Sequence, residues 1–190
     1  GGIGLLFNDS TSIFLLPFMI LFGAIGGAFW ATIPALLKTK FNTNEILTSL
    51  MLTYVALFIL DYFVVGPWKD PAGYGLPKSM PFPEAGRLPV LFDGLRIHIG
   101  VYFAIIICFI SYIVFNKTLF GFKLRVSGFS SKASQYAGFK YKNLIFYTFI
   151  ISGACAGLAG LFEVSGPIGL LYRDISPNYG FTAIIVAFLG

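Results

Sequence analysis

Charge is scarce in this chain. Only 11% of its 190 residues are Asp, Glu, Lys or Arg, against about 25% in an ordinary soluble domain. There is a single histidine, His98, and there are only two cysteines, Cys108 and Cys155. Neither cysteine has a second Cys or a His at metal-ligand spacing, which argues against a zinc site or a disulfide framework. Both fall inside apolar runs and read as small helix-packing residues. No Gly-x-x-x-x-Gly-Lys-Ser/Thr phosphate loop is present, so ATP cannot be held by that device. No Ser or Cys has a base close enough in sequence to suggest a nucleophile, so the expected catalytic set is empty, as is the expected metal set. His98 sits where a span should meet the interface and reads as a headgroup-level residue. The opening segment lacks the basic stretch of a signal peptide.

What the chain does have is long uncharged apolar sequence. Hydrophobic residues make up 57% of the total. Ile13 to Leu37 is 25 residues without a charge, and Ile46–Leu60, Ile99–Phe115 and Leu144–Phe162 are similarly bare. About 18 or more such residues suffice to cross a hydrocarbon core as a helix. One run could be a buried soluble helix; four could not. The expected spans are 13–37, 46–65, 98–115 and 144–163, with the start of another element at 181–190. The fold class is therefore all-α, a polytopic transmembrane helical bundle. The chain opens without Met and stops inside the run that begins at Phe181, as a piece of a longer polytopic protein would.

The basic residues fix an orientation. Segments 38–45 and 116–143 hold eight Lys/Arg against the one acid Glu45, while the alternate segments hold five bases against seven acids. Lys/Arg-rich short loops stay on the cytoplasmic side. Loop 116–143 is thus expected inside, and 66–97 outside. This asymmetry accounts for the basic balance without nucleic acid.

Within the spans, Gly23-x-x-x-Gly27 and Gly153-x-x-x-Gly157 are small-xxx-small motifs that allow close helix approach. Pro17 and Pro34 are expected near the ends of the first span, where a missing N–H costs least. The second span should open on Asn42 as N-cap with Glu45 at the third helical position. Its polar residues Glu45, Thr48, Ser49 and Thr53 share one face. Such a face belongs in hydrogen bonds between helices or along a polar pathway rather than against lipid. Asp61 and Glu163, each near the outer end of a span, are further candidates for contact with a solute. The outer loop carries Pro67, Pro71, Pro77, Pro81, Pro83 and Pro89, which forbid a continuous helix and suggest an ordered cap or short hairpin. In the inner loop, Ser130 can cap a short helix, Ser131 to Ala137, that Gly138 ends. A second helix should begin near Tyr141. A short helix across the inner mouth would serve either as an interfacial anchor or as a docking element for a soluble partner.

Several of these segments carry a family resemblance. Leu36-Leu-Lys-Thr-Lys-Phe-Asn-Thr-Asn-Glu-Ile-Leu-Thr-Ser-Leu-Met-Leu-Thr-Tyr54 resembles the signature of permease subunits of bacterial nucleoside ABC importers, within the wider branched-chain amino acid, ribose and simple-sugar permease family. Gly66-Pro-Trp-Lys-Asp-Pro, Lys78-Ser-Met-Pro-Phe-Pro-Glu and Arg87-Leu-Pro are similar to the same subgroup. So are Ile151-Ser-Gly-Ala-Cys-Ala-Gly-Leu-Ala-Gly160 and Gly180-Phe-Thr-Ala-Ile-Ile-Val-Ala-Phe-Leu-Gly190. Val126 to Gly138 resembles the segment that meets the ATPase, although Ser130, Ser131, Lys132, Ala133 and Ser134 stand where the family usually has Asn-Pro-Glu-Ala-Ala. The family's upstream Asn-Ile-Gly-x-Glu-Gly block is absent.

The resemblance implies an ATP-driven importer of the ABC permease type in a bacterial cell membrane. ATP and Mg would be handled by a separate ABC ATPase, with no cofactor in this chain. A second permease subunit, an extracytoplasmic solute-binding protein and membrane lipid would be the other partners. Ser130, Lys132, Ala133, Tyr136 and Gly138 would couple to the ATPase. The solute would be a nucleoside, with a simple sugar or branched-chain amino acid as the alternative within the family. A secondary transporter without an ATPase is the alternative outside it.

Overall fold

In the computed structural model, the described residues are 14–71, 77–83, 86, 88, 99–172, 175 and 179–189. They form helices α1 (Leu15–Phe41), α2 (Glu45–Val65), α3 (Gly100–Lys117), α4 (Leu119–Phe129), α5 (Ser131–Tyr136), α6 (Tyr141–Glu163) and α7 (Tyr179–Leu189), with a π-helical turn, Val164–Ile168, directly after α6. Among the described residues the only β pairing is two isolated bridges, Lys69 with Ser79 and Lys78 with Tyr172. Four helical segments are long and apolar enough to cross a membrane: α1, α2, α3, and α6 with its extension to Gly166. The chain is a multi-pass membrane protein. Ile13 and His98, at expected span edges, lie outside the described residues, as do Pro89 and Arg173.

α1 runs four residues past the expected end at Leu37. Lys38 and Lys40 do not terminate it because cations are favoured against the negative end of a helix dipole. The stop comes at Asn42, in the left-handed conformation with φ 56°, whose N–H donates to the Lys38 carbonyl at 3.1 Å. Pro34 is consequently inside the helix rather than near its end. Asn42 therefore closes α1 and does not open α2. The N-cap of α2 is Asn44, whose side-chain oxygen accepts from the N–H groups of Ile46 and Leu47 at 3.0 and 3.4 Å. Glu45 is then the first helical residue, not the third.

The closest packing joins α1 to α6, and glycine makes it possible. A Cβ on Gly27 would land on the Gly153 carbonyl oxygen and lie 2.8 Å from Gly157 Cα. A Cβ on Gly157 would land on the Gly23 carbonyl oxygen and lie 3.0 Å from Gly27 Cα. A Cβ on Gly153 would collide with Ala31. The two backbones are thus in direct van der Waals contact, which in lipid supplies the association that apolar burial cannot. Gly26 and Gly160 meet nothing within 4 Å. Leu15, Met19 and Leu161 form a buried cluster farther along the same seam.

At the opposite end from Lys38 and Lys40, the described part of the 66–97 loop is laced to the chain beyond α6. The Ser79 and Leu171 backbones exchange hydrogen bonds with each other's segment: Ser79 N–H donates to the Leu171 carbonyl, and Leu171 N–H donates to Ser79 Oγ, both at 2.8 Å. Phe82 N–H donates to Gly169 O and Leu88 N–H to Ser165 O, also at 2.8 Å. Under this lacing sits a small apolar core of Val64, Phe82, Val164 and Leu171, with Leu60, Trp68 and Ile175 against it. The prolines prevent helix here, and the backbone groups find partners in a neighbouring segment instead.

Candidate functional site

The lysine-rich end holds the candidate site. Its frame is α4, α5 and the start of α6. α4 folds back sharply from α3: Thr118 donates to Val114 O at 2.6 Å and caps the amide of Gly121 at 3.3 Å. Gly121 allows this reversal, since a Cβ there would strike the carbonyl oxygens of Val114 and Phe115. The Arg125 guanidinium donates to Phe115 O at 2.7 Å, which satisfies one of the carbonyls left open at the end of α3. The loop expected over 116–143 is therefore mostly helical.

α5 is held to α4 by one contact between hydroxyls. Ser127 Oγ and Ser134 Oγ are 2.8 Å apart, and Ser134 is completely buried. Ser134 N–H donates to Ser130 O at 3.1 Å, so Ser130 joins the two helices. The helix ends at Tyr136, one residue before the expected Ala137. Gly138, at φ 75°, takes the left-handed position that follows it, and Phe139 N–H reaches back to Ser134 O at 3.0 Å. On the outward side, Phe129 and Tyr136 are 91% and 95% exposed, and Lys132 is exposed as well. The Ala133 side chain lies outside those described. The result is a short two-helix knob, pinned on one side and presenting aromatics on the other.

Behind the knob, a cleft of about 280 Å³ is bounded by Lys38, Glu45, Ser127, Gly128, Tyr141 and Thr148, among others. Lys38 Nζ and Glu45 Oε2 form an ion pair at 2.6 Å on its wall. The link between α1 and α2 and the rear of α4 thus border one space. From Glu45 the polar face continues up α2. Thr48, Ser49 and Thr53 each donate to the carbonyl four residues earlier: Asn44, Glu45 and Ser49 respectively. Ser49 and Thr53 are exposed, and among the described residues these hydroxyls bond no other helix. Back-bonding of this kind lets a hydroxyl stand on an apolar helix surface without an unmet donor. Asp61 and Glu163 are half-buried at the far ends of α2 and α6, away from this cleft.

Gly23, Gly27, Gly153 and Gly157 come together in the α1–α6 seam, while Ser130, Lys132, Ala133, Tyr136 and Gly138 share the knob and the turn after it. The polar residues of α2 meet that region only through Glu45. Sequence reasoning missed the Lys38–Glu45 pair and the Ser127–Ser134 contact. The former had a signal: one acid among eight bases, across a three-residue link from the end of α1. The latter had none. Among the described residues, no three of His, Cys, Asp and Glu gather as metal ligands would.

Comparison with known proteins gives this arrangement its context. The chain is 37% identical over 190 residues to a glucose ABC transporter permease protein of Haloferax volcanii, covering 94% of this chain and 50% of that one. It is 32% identical over 188 residues to a guanosine ABC transporter permease protein of Bacillus subtilis, covering 96% and 53%. A nucleoside ABC transporter permease protein of Lactococcus lactis shares 28% over 192 residues, covering 97% and 53%. The chain spans about half the length of these curated relatives. No solved structure matches it significantly. The profile of the branched-chain amino acid transport system / permease component family matches residues 3–190, and the chain belongs to that family.

Proposed function

We propose that this chain is the transport-path portion of an ATP-driven solute importer in a bacterial cell membrane, and that a separate ABC ATPase docks on the α4–α5 knob. The observation that carries this reading is the pinned knob with its exposed face of Phe129, Lys132 and Tyr136. A partner that closes on nucleotide needs a surface that moves as a unit. The Ser127–Ser134 contact and the reversed turn at Gly138 make α4, α5 and the start of α6 such a unit. Motion there reaches the Lys38–Glu45 cleft directly, because Ser127 and Gly128 form its rear wall. ATP drives transport only so far as the docked, nucleotide-bound ATPase prefers one permease state.

The solute path runs along the face of α2 that begins at Glu45 and continues through Thr48, Ser49 and Thr53. Their hydroxyls hydrogen-bond their own helix as donors and keep lone pairs for a solute donor. This suits a hydroxyl-rich solute. We assign a nucleoside, in keeping with the guanosine and nucleoside permeases among the relatives. A monosaccharide is the second reading, favoured by the glucose permease at 37% identity. A second permease subunit and an extracytoplasmic solute-binding protein complete the assembly, the latter meeting the laced loop at the other end. ATP and Mg belong to the ATPase.

The test uses the full-length protein in its native assembly. Tyr136→Asp places a charge on the docking face without touching the seam, and solute-stimulated ATP hydrolysis and uptake should both fall more than about tenfold. Uptake at the wild-type rate, with the variant present in the membrane at normal level, refutes the docking role. Competition of labelled uridine uptake by unlabelled nucleosides but not by glucose supports the solute class; the reverse pattern replaces it with the monosaccharide.

A further inference from the structure

Of the six lysines that remain at the knob end once the Lys38–Glu45 pair is set aside, four gather at two clefts. Lys40 lies in the last turn of α1, Lys123 lies in α4, and Lys140 and Lys142 flank the first residue of α6. Glu45 is the only acid in segments 38–45 and 116–143, and Lys38 occupies it. Among the described residues, none of the four lysines pairs with a carboxylate. They are not scattered. Lys40 and Lys142 border one cleft of about 440 Å³, together with Thr39, Asn143 and Phe146. Lys123 and Lys140 border a second, of about 380 Å³, with Phe120, Phe139 and Tyr147. Asn143 belongs to both clefts. Lys123 Nζ lies 5.4 Å from the centre of the Phe139 ring, which steadies its position over the second cleft.

The depth of these clefts decides the ligand. α1 and α6 are antiparallel partners in backbone contact, so the end of one and the start of the other are level. Phe146 and Tyr147 lie about one turn deeper along α6 than Lys142 and Asn143. Along α6, Lys142 and Lys140 therefore stand at the mouths of the clefts, with Phe146 of the first and Tyr147 of the second on the membrane side. An acidic protein surface would meet the lysines but leave the rings unused. A phospholipid uses both, with its phosphate between the lysines and Asn143 and its glycerol and upper acyl carbons along the rings. Basic pockets between membrane helices on the cytoplasmic side are suited to such headgroups.

We propose that the paired clefts about Asn143 form a binding site for the phosphate headgroup of an anionic phospholipid. The site is separate from the knob surface: Phe129, Lys132 and Tyr136 border neither cleft.

The test takes the intact importer assembly in neutral detergent, with phosphatidylglycerol, phosphatidylcholine or inorganic phosphate added. Retained lipid is counted by native mass spectrometry, and the midpoint of thermal unfolding is followed in parallel. Phosphatidylglycerol should bind and raise the midpoint, and phosphatidylcholine should do neither at the same concentration. The double variant K40Q/K142Q should weaken phosphatidylglycerol binding about 25-fold, since one lysine near an anionic surface is worth about fivefold. The single variant K142Q should lose about fivefold, and the charge-matched K117Q, whose lysine lies on the same end but outside both clefts, should retain wild-type binding. Equal losses in the two single variants would reduce the effect to general charge and overturn the site. Equal protection by millimolar inorganic phosphate would overturn the lipid assignment, as would equal binding of phosphatidylcholine. Lipid retention is read without transport, so its failure is distinct from failure of the proposed import function.

Discussion

α1 and α2 are alike in the property that marks a membrane span and opposite in how they pack. Each is long and apolar enough to cross a membrane. Yet α1 lies backbone to backbone against α6, while α2 leaves Met51, Tyr54, Phe58 and Tyr62 exposed along its length. Hydropathy decides that a helix enters the membrane; it does not decide what the helix touches there. Lipid solvates Leu as well as another Leu does, so apolar side chains alone give no preference for a neighbour. The preference in α1 comes from the absence of side chains at Gly23 and Gly27. α2 has no glycine at all between Glu45 and Val65.

This contrast can be broken most directly at Gly27. Gly27→Leu must push α1 away from both Gly153 and Gly157, and we expect loss of most of the folded protein, at a cost of about 3 kcal/mol or more. The monodisperse yield after purification measures it. Gly26→Leu is the paired control; its Cβ meets nothing within 4 Å, so the yield should stay near wild type. If both changes are equally damaging, the seam is not where the energy lies. A smaller effect belongs to Gly23→Ala, whose Cβ would sit 3.4 Å from Leu161 Cβ. We expect about 1 kcal/mol of destabilisation at most, visible as a modest fall in unfolding temperature. Glu45→Gln breaks the Lys38–Glu45 ion pair across the α1–α2 link. Its partly exposed geometry limits the stability change to under about 1 kcal/mol, so a large fall in uptake at unchanged unfolding temperature would sharpen the assignment of this face to the solute. Smallest of all, Ile105→Ala on the exposed side of α3 should change stability by less than about 0.5 kcal/mol. A larger loss would give α3 a packing role like that of α1.

The same contrast explains what could be read in advance. Uncharged length is written residue by residue, so four spans follow from Ile13 to Phe162 with little tertiary knowledge. Gly23-x-x-x-Gly27 and Gly153-x-x-x-Gly157 stand out for the same reason, and the structure sets the two motifs against each other. Boundaries were less legible. Asn42 and Asn44 carry the same side chain, and only the continuation of α1 through Phe41 makes the first an ending and the second a beginning. α4 was hidden because Gly121 and Gly128 lower its helix propensity. Its fold depends on contacts made back to α3, by Gly121 and by Arg125. The Ser127–Ser134 contact is equally silent in sequence, since serines at that spacing occur without meeting. For the polar face of α2, the sequence supplies the arc but not the fact that each hydroxyl turns to its own helix.

The lacing of Ser79, Phe82 and Leu88 to the chain beyond α6 has a mechanical meaning. α6 is about 34 Å long at 1.5 Å per residue, with one end fastened to that strap and the other emerging from the turn at Gly138. A stiff rod anchored at both surfaces cannot tilt at one without displacing the other. A weight laid on the strap is therefore felt at the opposite face of the membrane as a shift in where α6 begins, and no chain of side-chain relays is needed to carry it there.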